Sequence, residues 1–215
     1  MSTEKLFEGK PVLAFDSESS RRSFLRWAGL VGVGSAFAVG GGLSMASSAS
    51  AAPAASSTGD LGILNYALTL EYLEATFYAM GVSAGILSGR EAALIAPIAV
   101  HEAGHVAAIT AAVTQAGGTP VAKPSIHFPS GTFTSKDTFL KTASTFEELG
   151  VVAYHGQVPL VKSAAVLGAA ASIAGVESRH AAIIATLIGG QPFPHPIEAH
   201  EPMSYVLPKV KPYIS

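Results

Sequence analysis

The chain contains no cysteine. Its absence excludes disulfides, thiolate metal sites, iron–sulfur clusters and cysteine nucleophiles together. Any metal must therefore be held by oxygen and nitrogen ligands, a donor set that suits Fe, Mn or Zn. Charge is also scarce: 13% of the residues are charged and the net charge is −2. Nothing in this composition indicates a nucleic-acid partner.

Apolar residues, in contrast, make up 49% of the 215 residues. That share provides ample surface to bury, which excludes disorder for most of the chain. The length allows one domain with extensions. We predict four parts: residues 1–51 as an export signal, 52–59 as a flexible leader, 60–190 as a helical bundle and 191–215 as an extended tail.

The first part has the order of features found in export signals. The paired Arg21 and Arg22 precede Phe and Leu, an apolar run follows from Ala28 to Leu43, and a small-residue cleavage site ends at Ala51. The paired arginines resemble the twin-arginine signal, which predicts a periplasmic or extracellular protein. The alternative is a membrane anchor, but the run is shorter than the ~20 residues that span a bilayer.

Two short runs, HEAGH and ESRH, each contain Glu-x-x-His: Glu102 with His105, and Glu177 with His180. Residues three apart on a helix lie on one face, about a turn apart. A carboxylate and an imidazole in this arrangement can hold one metal ion between them. Two such runs are stronger evidence than one.

Each run also has a matching stretch roughly thirty residues upstream. Glu71 and Tyr78 in the first stretch correspond to Glu147 and Tyr154 in the second, at a separation of 76 positions. The two Glu-x-x-His runs are separated by 75 positions. An offset this constant across four residues indicates a duplicated helix pair that presents four Glu and two His to one centre.

Hydrophobic periodicity predicts four helices, with Asp60 capping the first and Ser135 or Asp137 capping the third. Pro97 should kink the second helix or split off its first turn, and Pro159 should bend the third. We expect residues 117–135 to form a crossover along the bundle and the proline-rich tail to contain no helix. The predicted helices cover about residues 61–80, 88–116, 136–165 and 168–188.

The four glutamates fall near the middle of these helices, so antiparallel packing would bring them to one level. Four buried carboxylates without cations would suffer a large desolvation cost and mutual repulsion, and would have to take up protons. A pair of divalent metal ions would make such a cluster tolerable.

The four glutamates and two histidines resemble the ligand set of the ferritin-like di-iron carboxylate superfamily. In that superfamily two helices contribute one Glu each and two contribute Glu-x-x-His. The sequence LNYALTLEYLEATFY looks more like the exported branch of this superfamily, which includes desiccation-related proteins. The resemblance implies an antiparallel four-helix bundle, two Fe or two Mn ions, and ferroxidase, peroxidase or catalase-like chemistry with O2 or H2O2 in stress protection. By it, the metal ligands would be Glu71, Glu102, His105, Glu147, Glu177 and His180.

Residues beside the ligands are expected to support them. Tyr78 and Tyr154 recur next to each Glu, which favours hydrogen bonds to ligands. Glu74 lies close enough to the face of Glu71 to be an alternative ligand, and His101 is expected behind the ligands or facing solvent. The neighbouring Glu148 is expected to be solvated. The remaining histidines, His127, His155, His195 and His200, are expected at the surface.

Two other interpretations stay open. HEAGH also matches the zinc hydrolase motif, with His101 and His105 on zinc and Glu102 as the base. That motif does not explain the second run, where Val176 stands in place of a second copy of His101. The other alternative is a metal-free bundle with a structural or desiccation-protective role.

The mature chain carries few charges for its size. After Ala51 there are eight Lys or Arg and eleven Asp or Glu, four of which belong to the predicted centre. In designed soluble proteins, charged residues make up about 25–35% of the surface, so the surface of this chain is poor in charge. Because several helix faces are rich in Ala and Gly, we expect a homodimer or small homo-oligomer, or association with the cell envelope.

Overall fold

Four long helices form most of the structure, a computed structural model that describes residues 58–215. The predicted export signal and residues 52–57 of the leader lie outside the described residues. Within residues 58–215 there is no strand, only an isolated antiparallel bridge between Ile126 and Ile214. The predicted all-α class is therefore confirmed. The helices are α1 (Asp60–Ser83), α2 (Gly89–Gln115), α3 (Lys136–Gln157), α4 (Ala164–Leu187) and the short α5 (Met203–Val210).

The turn between α3 and α4 differs from the prediction of one helix to about residue 165. Instead α3 ends at Gln157, and Val158–Leu160 form a 3-10 turn that contains Pro159. Proline lacks the N–H that would continue the helix and restricts the residue before it. After this turn the Ser163 hydroxyl accepts a hydrogen bond from the Val166 N–H, 3.4 Å away, which starts α4 before the predicted position near 168.

The first residue of α1, Asp60, does not act as its predicted cap. Gly59 occupies the cap position with a φ of 70°, a left-handed conformation that glycine adopts at no steric cost. The Asp60 carboxylate instead accepts hydrogen bonds from the N–H groups of Lys162 and Ser163, at 2.9 and 2.7 Å. Asp60 thus ties the start of α1 to the turn between α3 and α4.

Helix α2 continues through Pro97, so of the two predicted outcomes, a kink or a separate first turn, the separate first turn does not occur. Pro97 and Ala93, four residues earlier, are both exposed. The Ala93 carbonyl, which loses its helical partner to proline, is therefore open to water rather than buried.

The proline-rich tail contains a helix, which corrects the expectation that it would be extended throughout. Helix α5 runs from Met203 to Val210 with Pro208 inside it. Its side chains Val206 and Val210 are buried against the main core. Burial of this apolar face stabilises a helix that the proline spacing alone would not favour.

The core consists of two apolar clusters at different levels of the bundle. One contains Phe77, stacked on Phe139 with ring centroids 4.7 Å apart, together with Phe146. The other contains Leu68 and Val113. The middle of the helices, where the predicted ligands lie, falls between these clusters. The centre is therefore enclosed by apolar packing above and below.

Candidate metal centre

The six predicted ligands meet inside the bundle. Each of the four long helices contributes one glutamate with 0% of its surface exposed, and the two histidines are 2–3% exposed. Burial of this many ionisable groups in one place is costly unless cations or protons compensate them. The glutamates are Glu71 on α1, Glu102 on α2, Glu147 on α3 and Glu177 on α4; His105 is on α2 and His180 on α4.

One imidazole faces three of these carboxylates. Its Nδ1 atom lies 3.1 Å from an oxygen of Glu177, 3.3 Å from one of Glu71 and 3.4 Å from one of Glu102. This imidazole belongs to His105, so α1 and α4 supply its partners besides the Glu of its own run. The same ring atom thus points at carboxylates from three helices.

The second imidazole, that of His180, repeats the arrangement in the other half. Its Nδ1 atom lies 2.9 Å from an oxygen of Glu102 and 3.5 Å from one of Glu147. In both halves Nδ1 is therefore the inward-facing nitrogen.

These residues form two overlapping sets, each able to surround one ion. In each set, one ligand atom per residue lies within 4.8 Å of the others. Glu102 and Glu177 belong to both sets, so they are placed to bridge two ions. The first set adds Glu71 and His105, and the second adds Glu147 and His180.

The inward-facing atoms are not satisfied by one another. Among the described residues, Nδ1 of both histidines and one or both oxygens of each of the four glutamates have no hydrogen-bond partner. The N···O distances are those of ion pairs, but the directions do not fit hydrogen bonds. Buried polar atoms are normally paired. These oxygen and nitrogen atoms point at one another without forming hydrogen bonds, which is the arrangement expected if two cations lie among them. Fe and Mn both accept carboxylate and imidazole donors.

Two tyrosines hold the outer carboxylates, and they do so across the repeat. The Tyr78 hydroxyl of α1 donates to Oε1 of Glu147 on α3. The Tyr154 hydroxyl of α3 donates to Oε1 of Glu71 on α1. Each hydroxyl leaves the other oxygen of its carboxylate facing the centre. Such hydrogen bonds fix ligand orientation.

Burial and mutual proximity shift the pKa values of these groups. Burial raises the pKa of Glu71 to about 7, against the lowering effect of His105. Burial and then the charge of Glu102 raise the pKa of Glu177 well above its usual range. Burial opposes protonation of His180, yet Glu102 and Glu147 raise its pKa to about 10. Without metal, the centre would therefore hold protons where cations would otherwise sit.

A family model described as "Ferritin-like domain" matches residues 59–190, more than half of the chain. The chain belongs to the ferritin-like family. The range matched covers all four long helices and every residue of the two ligand sets. This family assignment agrees with the helical fold and with the position of the buried cluster.

Among solved structures, the ferritin-like chain is similar to a conserved hypothetical protein, rv2844, from Mycobacterium tuberculosis. The two share 18% identity with a TM-score of 0.54, over 66% of this chain and 96% of the other. At this identity the likeness shows the fold alone. No curated protein matches the sequence.

His101 lies behind one ligand of the ferritin-like centre. Its Nδ1 is 3.0 Å from Nε2 of His180, and the two rings stack with centroids 5.2 Å apart. This contact leaves Nδ1 of His180 as the inward-facing atom. His101 joins neither ligand set, so the structure does not form the zinc hydrolase arrangement of His101 with His105.

The other glutamate and histidines considered in the sequence analysis do not belong to the centre. Glu148 is exposed, next to the fully buried Glu147, because adjacent helical residues point about 100° apart. Neither ligand set includes the remaining histidines, His127, His155, His195 and His200.

Sequence reasoning missed Gly150, which lies against the acidic cluster. A Cβ added there would come within 2.8 Å of Glu177 Oε2. The repeat could have indicated this residue, because Gly150 lies 76 positions after Glu74 and therefore occupies the equivalent position in the second half.

Proposed function

We propose that this protein is an exported ferritin-like oxidoreductase that holds two Fe or two Mn ions. The observation that carries the proposal is the pair of overlapping ligand sets that share Glu102 and Glu177. The family match supports a metal-binding bundle. The unpartnered, inward-facing donor atoms support occupancy by cations rather than a purely structural role.

The charges of the proposed ligands suit two divalent ions. Four carboxylates contribute four negative charges, and two neutral imidazoles contribute none, so two divalent ions leave the centre neutral. Glu71 and His105 would hold one ion and Glu147 and His180 the other, while Glu102 and Glu177 belong to both ligand sets. A neutral centre is the form that an apolar bundle interior tolerates best.

When bound, a pair of Fe or Mn ions would supply two-electron exchange with O2 or H2O2. The protein's own contribution is to fix the donors before any ion or oxidant arrives. Tyr78 and Tyr154 orient the outer carboxylates, and His101 directs Nδ1 of His180 inward. The apolar clusters above and below restrict water, which strengthens electrostatic interactions at the centre.

Metal analysis of the chain purified in its exported form tests the proposal. We expect about two Fe or Mn ions per chain, and consumption of O2 or H2O2 by the loaded protein but not by the chelator-stripped protein. Mass spectrometry of the same sample should find a start near Ala52 if the signal is cleaved as predicted. Less than a tenth of the expected metal would reject the proposal and favour the structural, desiccation-protective alternative.

We further propose that the mature chain forms a homodimer through apolar helix faces. By length and composition α2 is apolar enough to cross a membrane. Only 33% of its most apolar 18-residue stretch is buried within the bundle. Its buried Glu102 and His105 place it in the bundle, while Val100, 51% exposed, lies on its outer face. Light scattering on the mature form at micromolar concentration should give twice the mass of one chain. A mass near that of one chain contradicts the dimer.

A further inference from the structure

His101 lies behind one of the two histidine ligands and has no counterpart in the other half of the repeat. Its Nδ1 atom is 3.0 Å from Nε2 of His180, and the planes of the two rings are inclined by only 10°. The equivalent position, 75 residues later, holds Val176. A valine side chain neither donates nor accepts a hydrogen bond. The two ligand sets therefore contain the same residue types, but only one half places an imidazole behind its histidine.

The contacts of His180 determine which of its nitrogens carries the proton when an ion is bound. Its Nδ1 atom faces the centre, 2.9 Å from an oxygen of Glu102. A neutral imidazole has its proton on one of two nitrogens. If the lone pair of Nδ1 binds an ion, that proton must be on Nε2. The Nε2–H group of His180 then donates a hydrogen bond to Nδ1 of His101.

A hydrogen bond behind a ligand imidazole has two effects on metal binding. It fixes the tautomer and the orientation of the ring, and it raises the basicity of the nitrogen that binds the ion. The His180 side chain is 2% exposed, so water has little access to its ring. His101 is therefore the hydrogen-bond partner that the structure provides for Nε2 of His180.

We propose that His101 is a positioning residue for one ion only, the ion held by Glu147 and His180. This inference rests on the proposed function, because it requires an ion in the second ligand set. The half that contains His105 has Val176 at the equivalent position, so no imidazole acts there in the same way. His101 should therefore increase the affinity of the second ligand set for its ion and leave the affinity of the first unchanged.

Two variants that each keep one ligand set separate the two ions. Glu71→Ala leaves the second set complete, and Glu147→Ala leaves the first complete. Each is compared with and without the added substitution His101→Leu, which removes the acceptor nitrogen but keeps a side chain of similar size. The four chains are titrated without oxygen, first with chelate-buffered Fe²⁺ and separately with Mn²⁺. The readout is the dissociation constant of the ion, with no measurement of turnover.

The expected effect is confined to one of the two backgrounds. In the Glu71→Ala chain, His101→Leu should weaken binding about 10- to 100-fold, the usual loss when the residue behind a metal ligand is removed. In the Glu147→Ala chain, the same substitution should change binding by no more than about threefold, which lies below that range. Equal losses in both chains would overturn the proposal, because they would indicate a general effect on the bundle. No loss in the Glu71→Ala chain would overturn it as well.

The variant His101→Asn tests the hydrogen bond itself. As many bonds separate the side-chain oxygen of asparagine from the backbone as separate Nδ1 of histidine from it. This oxygen is therefore able to accept from Nε2–H of His180. In the Glu71→Ala chain we expect His101→Asn to bind the ion nearly as tightly as the chain with His101. A loss as large as that caused by leucine would overturn the hydrogen bond as the role of His101.

Two further measurements keep failure of this inference distinct from failure of the proposed function. If the original chain binds neither Fe²⁺ nor Mn²⁺, the proposed function fails. If it binds two ions and His101→Leu, made in the original chain, weakens neither or both, only the role of His101 fails. Circular dichroism and thermal unfolding of each metal-free chain check that the bundle is formed. Because His101 is exposed, its substitution should leave the bundle folded.

Discussion

Replacing Glu177 by alanine is expected to abolish binding of both metal ions, whereas replacing Glu147 by alanine should abolish binding of one. Glu177 belongs to both ligand sets and Glu147 to only one. Metal content after loading and desalting should fall from about two ions per chain to nearly none for Glu177→Ala. For Glu147→Ala it should fall to about one, since the set around His105 keeps all four of its donors.

The adjacent Glu148→Ala variant is the matched control. Glu148 is exposed and next to Glu147 in sequence, so its loss should leave metal content unchanged. A loss of metal from Glu148→Ala but not from Glu147→Ala would contradict the orientation of α3 described above. Two ions retained by Glu177→Ala would contradict the bridging role.

The two ligand variants, Glu177→Ala and Glu147→Ala, should remain folded without metal. Each removes a buried carboxylate that repels its neighbours in the metal-free state, so thermal unfolding of the metal-free chain should occur at an equal or higher temperature. Loss of metal without loss of the helical circular dichroism spectrum separates ligation from folding.

The ligand positions could be predicted from sequence because their signal is local and repeated. Glu-x-x-His places two donors on one helix face whatever the rest of the fold does. The constant offset then links Glu102 with Glu177, and the all-α class follows from periodicity. The observed helices agree with those predictions except near prolines.

Contacts between helices had no such local signal. The repeat indicated that Tyr78 and Tyr154 bind ligands, but each donates to the glutamate of the opposite half. Likewise, the convergence of Glu74 with Glu177 depends on how closely α1 approaches α3 at Gly150. Spacing along one helix does not determine these distances.

Helix α5 shows the same limit for local rules. Proline spacing argued against any helix after Gln191, but Pro202 precedes α5 and Pro208 falls in its last turn. Burial of Val206 and Val210 in the core supplies the stabilisation. Tertiary packing of an apolar face contributes more to a short helix than its residue propensities do.

The metal-free protein is expected to be more stable at pH 5.5 than at pH 8.5. Burial raises the pKa of Glu71 from 4.5 to about 7 in the fold. A raised pKa means that folding favours the protonated form, so this contribution is lost as pH rises toward 7. His180 acts in the same direction over a higher pH range. Burial opposes its protonation, but Glu102 and Glu147 raise its pKa from 6.5 to about 10.

Two groups act in the opposite direction, and Glu102 does so outside this window. Burial would raise the pKa of Glu102, yet His105 and His180 hold it well below its usual range. Its contribution is therefore lost only in stronger acid. Inside the window, burial and the neighbouring His180 and His105 lower the pKa of His101, which therefore opposes the trend. The raised pKa values of Glu71 and His180, joined by those of His105 and Glu177, outweigh this one group and decide the sign.

The size of the effect follows from the buried positions of these groups. One pKa unit corresponds to about 1.4 kcal/mol, so Glu71 and His180 together should lower the free energy of unfolding by about 2 kcal/mol or more between pH 5.5 and 8.5. For a chain of this length, about 2 kcal/mol shifts Tm by roughly 4–8 °C. Thermal unfolding of the chelator-treated chain, followed by circular dichroism at both pH values, measures this shift.

Metal loading should reverse the trend, because metal ions require deprotonated carboxylates and neutral imidazole, both of which are favoured as pH rises. The loaded chain should therefore unfold at a higher temperature at pH 8.5 than at pH 5.5. In the metal-free state, Glu71→Gln should show a smaller Tm difference between pH 5.5 and 7, since it removes one of the responsible groups. A metal-free chain whose Tm is the same at both pH values, or higher at pH 8.5, would show that the buried carboxylates and imidazoles do not exchange cations for protons.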